Sequence, residues 1–341
     1  MTTASGAIGR ALAAQHGYLV VLLLLTLMLF VAALCVGPLL ITPAQLLQHL
    51  RPGDDSTIAL IVRDIRLPRA LLAVMVGASL GSAGAALQGL LRNPLSEPGI
   101  IGISGGAALG AVAAFYSGVA AGVYWALPAS GMLGALLAVA ALQALAGRGA
   151  DILTVILAGV AINSLSGALT TLILNLSPNP FAAYEIYFWL LGSLANRSLE
   201  HVLLALPFMA AGWALLFSTR RALDVLALGE DTATSLGVNL PRSRARVVLG
   251  SALAVGAAVS VSGVIGFVGL VVPHLLRPWV GHRPGALVLP SAVGGAALTL
   301  AADLGTRVPL ASGELKLGVV TALIGAPFFL RLVLQSRASH R

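Results

Sequence analysis

Charged residues are scarce in this chain of 341 residues: Asp, Glu, Lys and Arg make up 9% of it, whereas 58% is hydrophobic. An average soluble chain is about one quarter charged, so this sequence cannot hide its apolar surface in a water-soluble fold. The composition therefore indicates a membrane protein in contact with lipid. The formal net charge of +8 does not indicate a nucleic-acid partner, because the basic residues are scattered singly between apolar runs and only 5% of the chain is aromatic.

Residues for covalent chemistry are equally scarce. Cys35 is the only cysteine, which excludes a disulfide framework and a cysteine-based metal site. The sequence lacks the zinc-binding pattern HExxH. Lys316 is the only lysine and stands in "ELKLG", so the chain has no P-loop, G-x-x-x-x-G-K-[ST], to hold the phosphates of ATP. We expect no catalytic residue, no metal site and no cofactor in this chain.

Acidic residues are missing from the predicted membrane interior. Ion-coupled transporters carry Asp, Glu or His there, because a proton or sodium path needs titratable or anionic groups. Only His201 and His274 come near, and both lie close to the ends of apolar runs. The pattern disfavours an ion-coupled secondary transporter, and the energy for transport should come from another subunit. A passive channel or a structural membrane protein stays open as an alternative.

The apolar runs predict ten membrane spans. A spanning helix needs about 20 mostly apolar residues. Two longer runs without any charge are each predicted to divide, near 117–122 and near 263–266. The first run exceeds the apolar core of a signal peptide, about 7–15 residues, so we interpret it as a retained span. The six single runs are 18–37, 69–91, 152–174, 201–219, 284–302 and 316–334. The sequence thus predicts an all-α, multi-pass membrane protein that forms a single domain over residues 1–341.

The distribution of basic residues predicts the orientation. An even number of spans places both termini on one side. If that side is the cytoplasm, the inner segments hold thirteen basic and five acidic residues, and the outer segments hold seven of each. The opposite orientation would invert the positive-inside rule. We therefore expect both termini in the cytoplasm.

Three arginines oppose that bias. Arg63, Arg66 and Arg69 lie in "RDIRLPR" at the predicted outer end of the second span. One interpretation is that they snorkel to lipid headgroups and balance neighbouring aspartates such as Asp54 and Asp64. The alternative is that they dock an acidic partner, because the fork of donors on arginine fits carboxylates.

Two polar islands interrupt the apolar pattern on the predicted inner side. The first, "RNPLSEP" (92–98), contains two prolines that disfavour helix. The second, "ALGEDTATSLGVNLPRSR" (227–244), is the longest polar stretch on that side. It predicts a short helix over Thr232–Leu236 that ends at Gly237, because glycine commonly terminates a helix. Plain solvated connections are the alternative for both islands.

Glycine is abundant, with 39 residues, and it often recurs at a spacing of four, as at Gly102, Gly106 and Gly110. Such spacing lets helices approach closely in lipid. A weak internal repeat aligns 77–94 on 256–273 without gaps. An odd number of spans separates the two segments, so they run in opposite directions, as in inverted-repeat transporters.

Five longer motifs resemble the permease subunits of type II ABC importers, the FecCD-like proteins that import iron–siderophores, haem and vitamin B12. They are "RLPRALLAVMVGASLGSAGAALQGLLRNPLSEPGIIGISGGAALGA", "ALGEDTATSLGV", "GFVGLVVPHLLR", "AADLGTR" and "GVVTALIGAPFF", and together they extend from about residue 60 to 334. The resemblance implies an inverted-repeat permease that pairs with a second copy of itself in the bacterial inner membrane. It also implies two ATPase subunits inside, which bind ATP and Mg, and a periplasmic substrate-binding protein outside.

The resemblance implies a docking site at the outer mouth. In the vitamin B12 importer, arginines there dock glutamates on the two lobes of the binding protein. The matching positions in this sequence are Arg66 and Arg69 in "RLPR" and Arg307 in "AADLGTR". Asp303 lies four residues before Arg307, so we expect the two to pair on one helix face.

The resemblance also implies two functional elements on the cytoplasmic side. The motif "NPL" is similar to the inner gate of that importer, which corresponds to Asn93 and Leu95 here. The motif "GEDTATSLG" is similar to the ATPase-coupling pattern E-x-A-x-x-x-G, with one additional residue between Glu230 and Ala233. This pattern implies that Glu230, Ala233 and Gly237 lie against the ATPase, within a coupling segment of about 220–244.

The sequence therefore predicts the membrane subunit of an ATP-driven importer that moves a metal chelate, a ferric siderophore or haem, by alternating access. Vitamin B12 is the alternative cargo, because the apolar runs contain no cluster of Arg, Tyr or His that would select one chelate. Two loops depart from the family pattern. Lys316 replaces the proline of a usual "ELP", and "VGHRPG" stands where the family has a "DHR"-type loop.

Overall fold

The computed structural model describes residues 2–49, 54–123, 125–147, 152–177, 180–308 and 314–338. Within these ranges the chain is helical and contains no β-strand. Four residues of the charge census, Arg51, Arg148, Asp151 and Arg341, lie outside the described residues.

Sixteen α-helices follow one another along the described parts of the chain. They are α1 (Thr2–Cys35), α2 (Pro43–Gln48), α3 (Thr57–Leu60), α4 (Leu67–Leu90), α5 (Ile103–Tyr116), α6 (Val119–Gly122), α7 (Ala126–Ala146), α8 (Ile152–Asn175), α9 (Pro180–Leu190), α10 (Leu199–Ser218), α11 (Arg220–Leu226), α12 (Glu230–Ser235), α13 (Leu240–Ser262), α14 (Val268–Leu276), α15 (Pro284–Thr306) and α16 (Leu317–Ala338). A π-helical segment, Ile61–Arg66, joins α3 to α4, and a 3₁₀ turn, Arg277–Val280, extends α14.

The described helices agree with the predicted spans. Seven are long and apolar enough to cross a membrane, and three shorter apolar helices, α5, α14 and α16, account for the other predicted spans. The two long runs divide where the sequence predicts, because α5 ends at Tyr116 and α13 ends at Ser262.

Two of the predicted span limits are wrong. The second span does not begin at residue 69, because the helix is continuous from Thr57 through the π-helical segment to Leu90. The ninth does not end at residue 302, because α15 continues to Thr306 and includes Asp303. In both cases the added turns contain paired charges, because Arg63 pairs with Asp64 at 3.1 Å and Asp303 pairs with Arg307 at 2.7 Å.

Helix α4 forms the centre of the bundle and packs closely against α15. A Cβ atom added at Gly295 of α15 would lie 2.1 Å from the carbonyl oxygen of Gly77 of α4, closer than any real contact. A similar approach joins α5 to α7, where a Cβ at Gly134 would lie 2.1 Å from the carbonyl oxygen of Gly106. Without side chains at these positions, the helix backbones can touch and gain dispersion energy that lipid alone does not supply.

Helix α14 begins after a break of five residues that separates it from α13. A Cβ at Gly269 would meet the carbonyl oxygen of Leu80 of α4 at 2.8 Å, so the start of α14 lies at the level of the middle of α4. Pro273 has no N–H to bond the carbonyl of Gly269. Instead, the side-chain Nε2 of Gln88 donates to that carbonyl at 3.2 Å. The side-chain Oε1 of Gln88 accepts from Arg277 at 2.6 Å.

Candidate functional site

Two polar clusters lie at opposite ends of α4. Arg69 is in its first turn and Arg92 is the second residue after its end at Leu90. A helix of 24 residues is about 36 Å long at 1.5 Å per residue, so the clusters are separated by the thickness of a bilayer. We call them the Asp303 cluster and the Glu230 cluster, after the carboxylate at the centre of each.

The Asp303 cluster contains all three arginines for which the sequence predicts docking. Asp303 is fully buried and accepts from Arg307 Nη2 at 2.7 Å and from Arg69 Nε at 2.9 Å. The predicted pairing of Asp303 with Arg307 on one helix face is therefore confirmed. Arg69 also donates to Thr306 at 3.1 Å and to Glu314 at 3.1 Å. These contacts join α4, α15 and the segment that precedes α16.

Arg66 and Arg307 cap the end of α1. The last carbonyl groups of a helix have no partner within the helix. Arg307 Nη1 donates to the carbonyls of Ala33 and Val36 at 2.6 and 2.7 Å. Arg66 is only 5% exposed, and it donates to the carbonyls of Leu34, Cys35 and Leu39. The positive charges also complement the negative end of the helix dipole.

A cavity of about 610 Å³ opens beside the Asp303 cluster. Its polar lining includes the three arginines, Asn196, Glu314 and Lys316. Glu314 is the most solvent-accessible member of the ion-paired set, with 43% of its side chain exposed. An acidic group that enters this cavity would therefore meet Arg69 at Nη1, the nitrogen that donates to Glu314.

Asp54 and Asp64 do not pair with Arg66 or Arg69, so the expected charge balance by neighbouring aspartates is wrong for these two arginines. Arg63 pairs with Asp64 at 3.1 Å, and both side chains are about half exposed. Asp54 instead accepts from the ring of His49 at 2.7 Å. The backbone N–H of Ser56, followed by that ring, lowers the pKa of Asp54 to about 2.

The Glu230 cluster joins the loop after α4 to the predicted coupling segment. Oε1 of Glu230 accepts from Arg92 Nη2 at 3.0 Å and from Arg244 Nη2 at 2.8 Å. Arg92 has a positive φ of 47°. The N–H of Asn93 donates to the carbonyl of Gln88 at 3.2 Å, so Arg92 occupies the helix-ending position at which glycine is usual.

The predicted gate residues lie in the turn that follows. The side-chain oxygen of Asn93 accepts from the N–H of Leu95 at 2.9 Å, and its backbone carbonyl accepts from the N–H of Ser96 at 3.2 Å. Asn93 and Leu95 are both half-buried. These two bonds fix the shape of the turn, because asparagine satisfies local backbone groups in place of water.

The coupling segment contains the predicted short helix. It begins at Glu230, two residues earlier than predicted, and it ends as predicted, because Gly237 has a φ of 81°. The N–H of Val238 donates to the carbonyl of Ala233 at 2.9 Å, which closes the helix end. Ala233 is fully buried, whereas Leu228 and Leu236 on either side of α12 are 66% and 63% exposed.

The sequence did not predict that Glu97 lies inside the helix bundle. The sequence places it in a polar loop, but its side chain lines a cavity of about 80 Å³ together with Leu80 of α4. Nothing in "RNPLSEP" indicates that this loop folds back towards the break before α14.

The exposed face of α8 is a second feature that sequence reasoning missed. Most of α8 is exposed: only 17% of its apolar window is buried. The later turns of this exposed face carry small and polar residues, namely Ser164, Gly167, Thr171 and Asn175. Lipid is a poor solvent for such a stripe. A helical wheel of the exposed residues alone would have revealed this polar stripe. However, the sequence of α8 is apolar on most sides and does not show which residues are exposed.

Comparison with known proteins decides the family. The model of the FecCD transport family matches residues 24–335 of this chain. The chain belongs to the FecCD transport family. Its relatives include the vitamin B12 import system permease BtuC of Vibrio cholerae, which is 43% identical over 82% of this chain and 84% of that protein. The ABC transporter permease YvrB of Bacillus subtilis is 40% identical over 85% of this chain and 83% of that protein.

Two further relatives agree with this membership. The hemin transport system permease HmuU of Yersinia pestis is 39% identical over 80% of this chain and 83% of that protein. A solved structure of a metal-chelate type ABC transporter in an inward-facing conformation matches with a TM-score of 0.83 and 33% identity. The match covers 93% of this chain and 98% of the other. The FecCD chain is therefore a multi-pass ABC importer permease, a transport component rather than an enzyme.

Proposed function

We propose that this FecCD permease forms the membrane pathway of an ATP-driven importer for a metal chelate, with haem or a ferric siderophore as cargo. Vitamin B12 is the alternative cargo, which the identity with BtuC favours. The pathway would open alternately to the two sides of the bacterial inner membrane. A separate ATPase would bind ATP and Mg and supply the energy.

The exposed leucines beside α12 carry this proposal. Leu228 and Leu236 lie at the same end of the molecule as the Glu230 cluster, where they flank one short helix and together offer an apolar surface to a partner. An ATPase that covers them would be in contact with α12, whose fully buried Ala233 fixes this helix to the rest of the chain. The proposed role of Glu230, Ala233 and Gly237 is thus to hold α12 in shape rather than to supply most of the contact.

The same end of the molecule is proposed to face the cytoplasm. Arg92, Arg242, Arg244 and Arg283 all lie there, and positive charge is retained on the cytoplasmic side. Asn93 and Leu95 would then form the inner gate, on a turn that two backbone hydrogen bonds hold rigid. The Asp303 cluster would face the periplasm and receive the binding protein at Arg66, Arg69 and Arg307.

A second copy of the chain is proposed to cover the polar face of α8. Ser164, Gly167, Thr171 and Asn175 offer small, uncharged surfaces that suit a water-filled pathway between two copies better than lipid. Weak, uncharged contacts would let a bulky chelate pass without binding tightly.

Association with an ATPase tests the proposal. The tagged chain, expressed with its candidate ATPase, should capture that subunit in detergent, and replacement of the two exposed leucines should weaken the capture. A chain that is folded and dimeric but binds no ABC ATPase would contradict the proposal. An ion-coupled secondary transporter would then become the leading alternative, although only Glu97 supplies a described carboxylate near mid-membrane.

A further inference from the structure

The contact between Arg92 and Glu230 joins the gate turn to α12, two elements that are far apart in the sequence. Arg92 precedes the gate turn directly, and Glu230 is the first residue of α12. The two residues are 138 positions apart in the chain, yet Nη2 and Oε1 are 3.0 Å apart. The same oxygen accepts from Arg244 in the first turns of α13, at 2.8 Å.

The backbone conformation at Arg92 indicates that its side chain has a role. A φ of 47° is strained for any residue with a Cβ and is free of cost for glycine. Glycine would therefore be the better choice if the position served only to end α4. Strain that persists at one residue is evidence that the side chain is used.

The rest of the gate loop has no comparable contact with α12 among the described ion pairs. Asn93 uses its side chain within its own turn, through the N–H of Leu95. The other described ion pair at this end joins Arg283 to Asp224 at 2.7 Å and does not involve the gate loop. A displacement of α12 would thus reach the gate turn first through Glu230 and Arg92.

We propose that Arg92 is a positioning residue that couples the inner gate to α12 through its ion pair with Glu230. The inference rests on the proposed function, in which α12 contacts the ATPase and Asn93 and Leu95 form the gate. When the ATPase moves α12, Glu230 pulls on Arg92 and so shifts the turn that carries the gate. Arg244 keeps the Glu230 carboxylate oriented towards Arg92.

The test uses a readout that needs no cargo. In a C35S background, which removes the only cysteine, L95C provides a single thiol in the gate turn. The full complex with ATPase and binding protein is reconstituted in liposomes, and the rate of thiol labelling is measured with and without ATP. We expect ATP to change this rate by roughly tenfold, which is within the usual range of coupling between sites in proteins.

Three variants of Arg92 and Glu230 test the link. R92G keeps the helix ending that glycine favours, so it should fold at least as well as the parent, but it should abolish the response of L95C to ATP. R92K keeps the charge and should retain most of the response. If Arg92 acts through Glu230, then E230Q should reduce the response, and R92G combined with E230Q should be no worse than R92G alone. R283A, which breaks the other ion pair at this end, is the matched control and should respond like the parent.

The outcomes separate this inference from the proposed function. If the R92G complex hydrolyses ATP and its L95C thiol responds to ATP as in the parent, the link is wrong and the proposed function stands. If R92G and E230Q lower the response independently and additively, Arg92 does not act through Glu230, which also overturns the inference. If L95C does not respond to ATP even with Arg92 present, the proposed gate is wrong and the inference falls with it.

Discussion

Arg307 Nη2 lies 2.7 Å from Oδ2 of Asp303, one helical turn earlier in α15, and both side chains are almost completely buried. Asp303 also accepts from Arg69 at 2.9 Å, so one buried carboxylate pairs with two guanidinium groups. This end of the bundle thus depends on a buried charge whose removal leaves its partners unpaired.

The first prediction concerns this carboxylate. D303N should destabilise the protein by about 3–5 kcal/mol, because removal of one partner leaves buried charges uncompensated. The effect is measured as the change in the thermal unfolding temperature in detergent, detected by the loss of monodisperse protein on heating. The control is D64N, whose carboxylate is about half exposed beside Arg63 and should cost little. Equal stability of D303N and the parent would show that the two arginines do not depend on Asp303.

The second prediction concerns docking. R69Q should weaken association of the binding protein, whereas E314Q should strengthen it, because Glu314 occupies the donor of Arg69 that faces the cavity. Both effects should shrink as salt screens the charges. Affinity is measured at low and high salt, with E200Q as a control at an exposed acid of another helix. Reversal of Arg66 or Arg307 is a poorer test, since both cap α1. Unchanged affinity in both R69Q and E314Q would exclude docking at Arg69.

The third prediction concerns the surface for the ATPase. L228S combined with L236S should weaken capture of the ATPase and leave the unfolding temperature unchanged, because both side chains are exposed. The control combines L228M with L236M, which keeps the apolar area. Loss of stability in the serine variant would mean that the two leucines pack within the chain rather than against a partner.

The fourth prediction concerns the inner gate. Replacement of Asn93 and Leu95 by alanine removes the bond that shapes the turn and the larger side chain that it carries. Liposomes that contain this variant should leak small fluorescent solutes without ATP. The parent in the same lipids gives the reference rate, and a variant no leakier than the parent would place the constriction elsewhere.

The fifth prediction concerns helix packing. G295A should be strongly destabilised, because the new Cβ would lie 2.1 Å from the carbonyl oxygen of Gly77. Overpacking typically costs about 1–3 kcal/mol, and here both neighbours are backbone, so we expect at least the upper value. G305A in the same helix meets nothing within 4 Å and is the matched control. Similar thermal stability of the two variants would contradict the close approach of α4 and α15.

The sequence predicts which segments form the long apolar helices, because lipid makes length and apolarity sufficient to find a span. It also predicts the Asp303–Arg307 pair, since i,i+4 spacing on a helix is local information. It cannot predict that Arg66 is buried, because its partners are carbonyls about thirty residues away. Two further features depend on which helices are neighbours: the position of Glu97 inside the bundle and the contact of Arg92 with Glu230. Neighbouring helices cannot be predicted from an apolar sequence with weak periodicity.

ATP-driven uptake is the measurement that tests the central claim most directly. The chain, its ATPase and its binding protein are reconstituted in liposomes, with ATP inside on the same side as the ATPase. Uptake of haem, a ferric siderophore and vitamin B12 from the outside is then measured. The account predicts uptake of one of these chelates that requires ATP, fails with an ATPase variant that cannot hydrolyse it, and is insensitive to ionophores. Uptake by the chain alone that an ionophore abolishes would contradict the account.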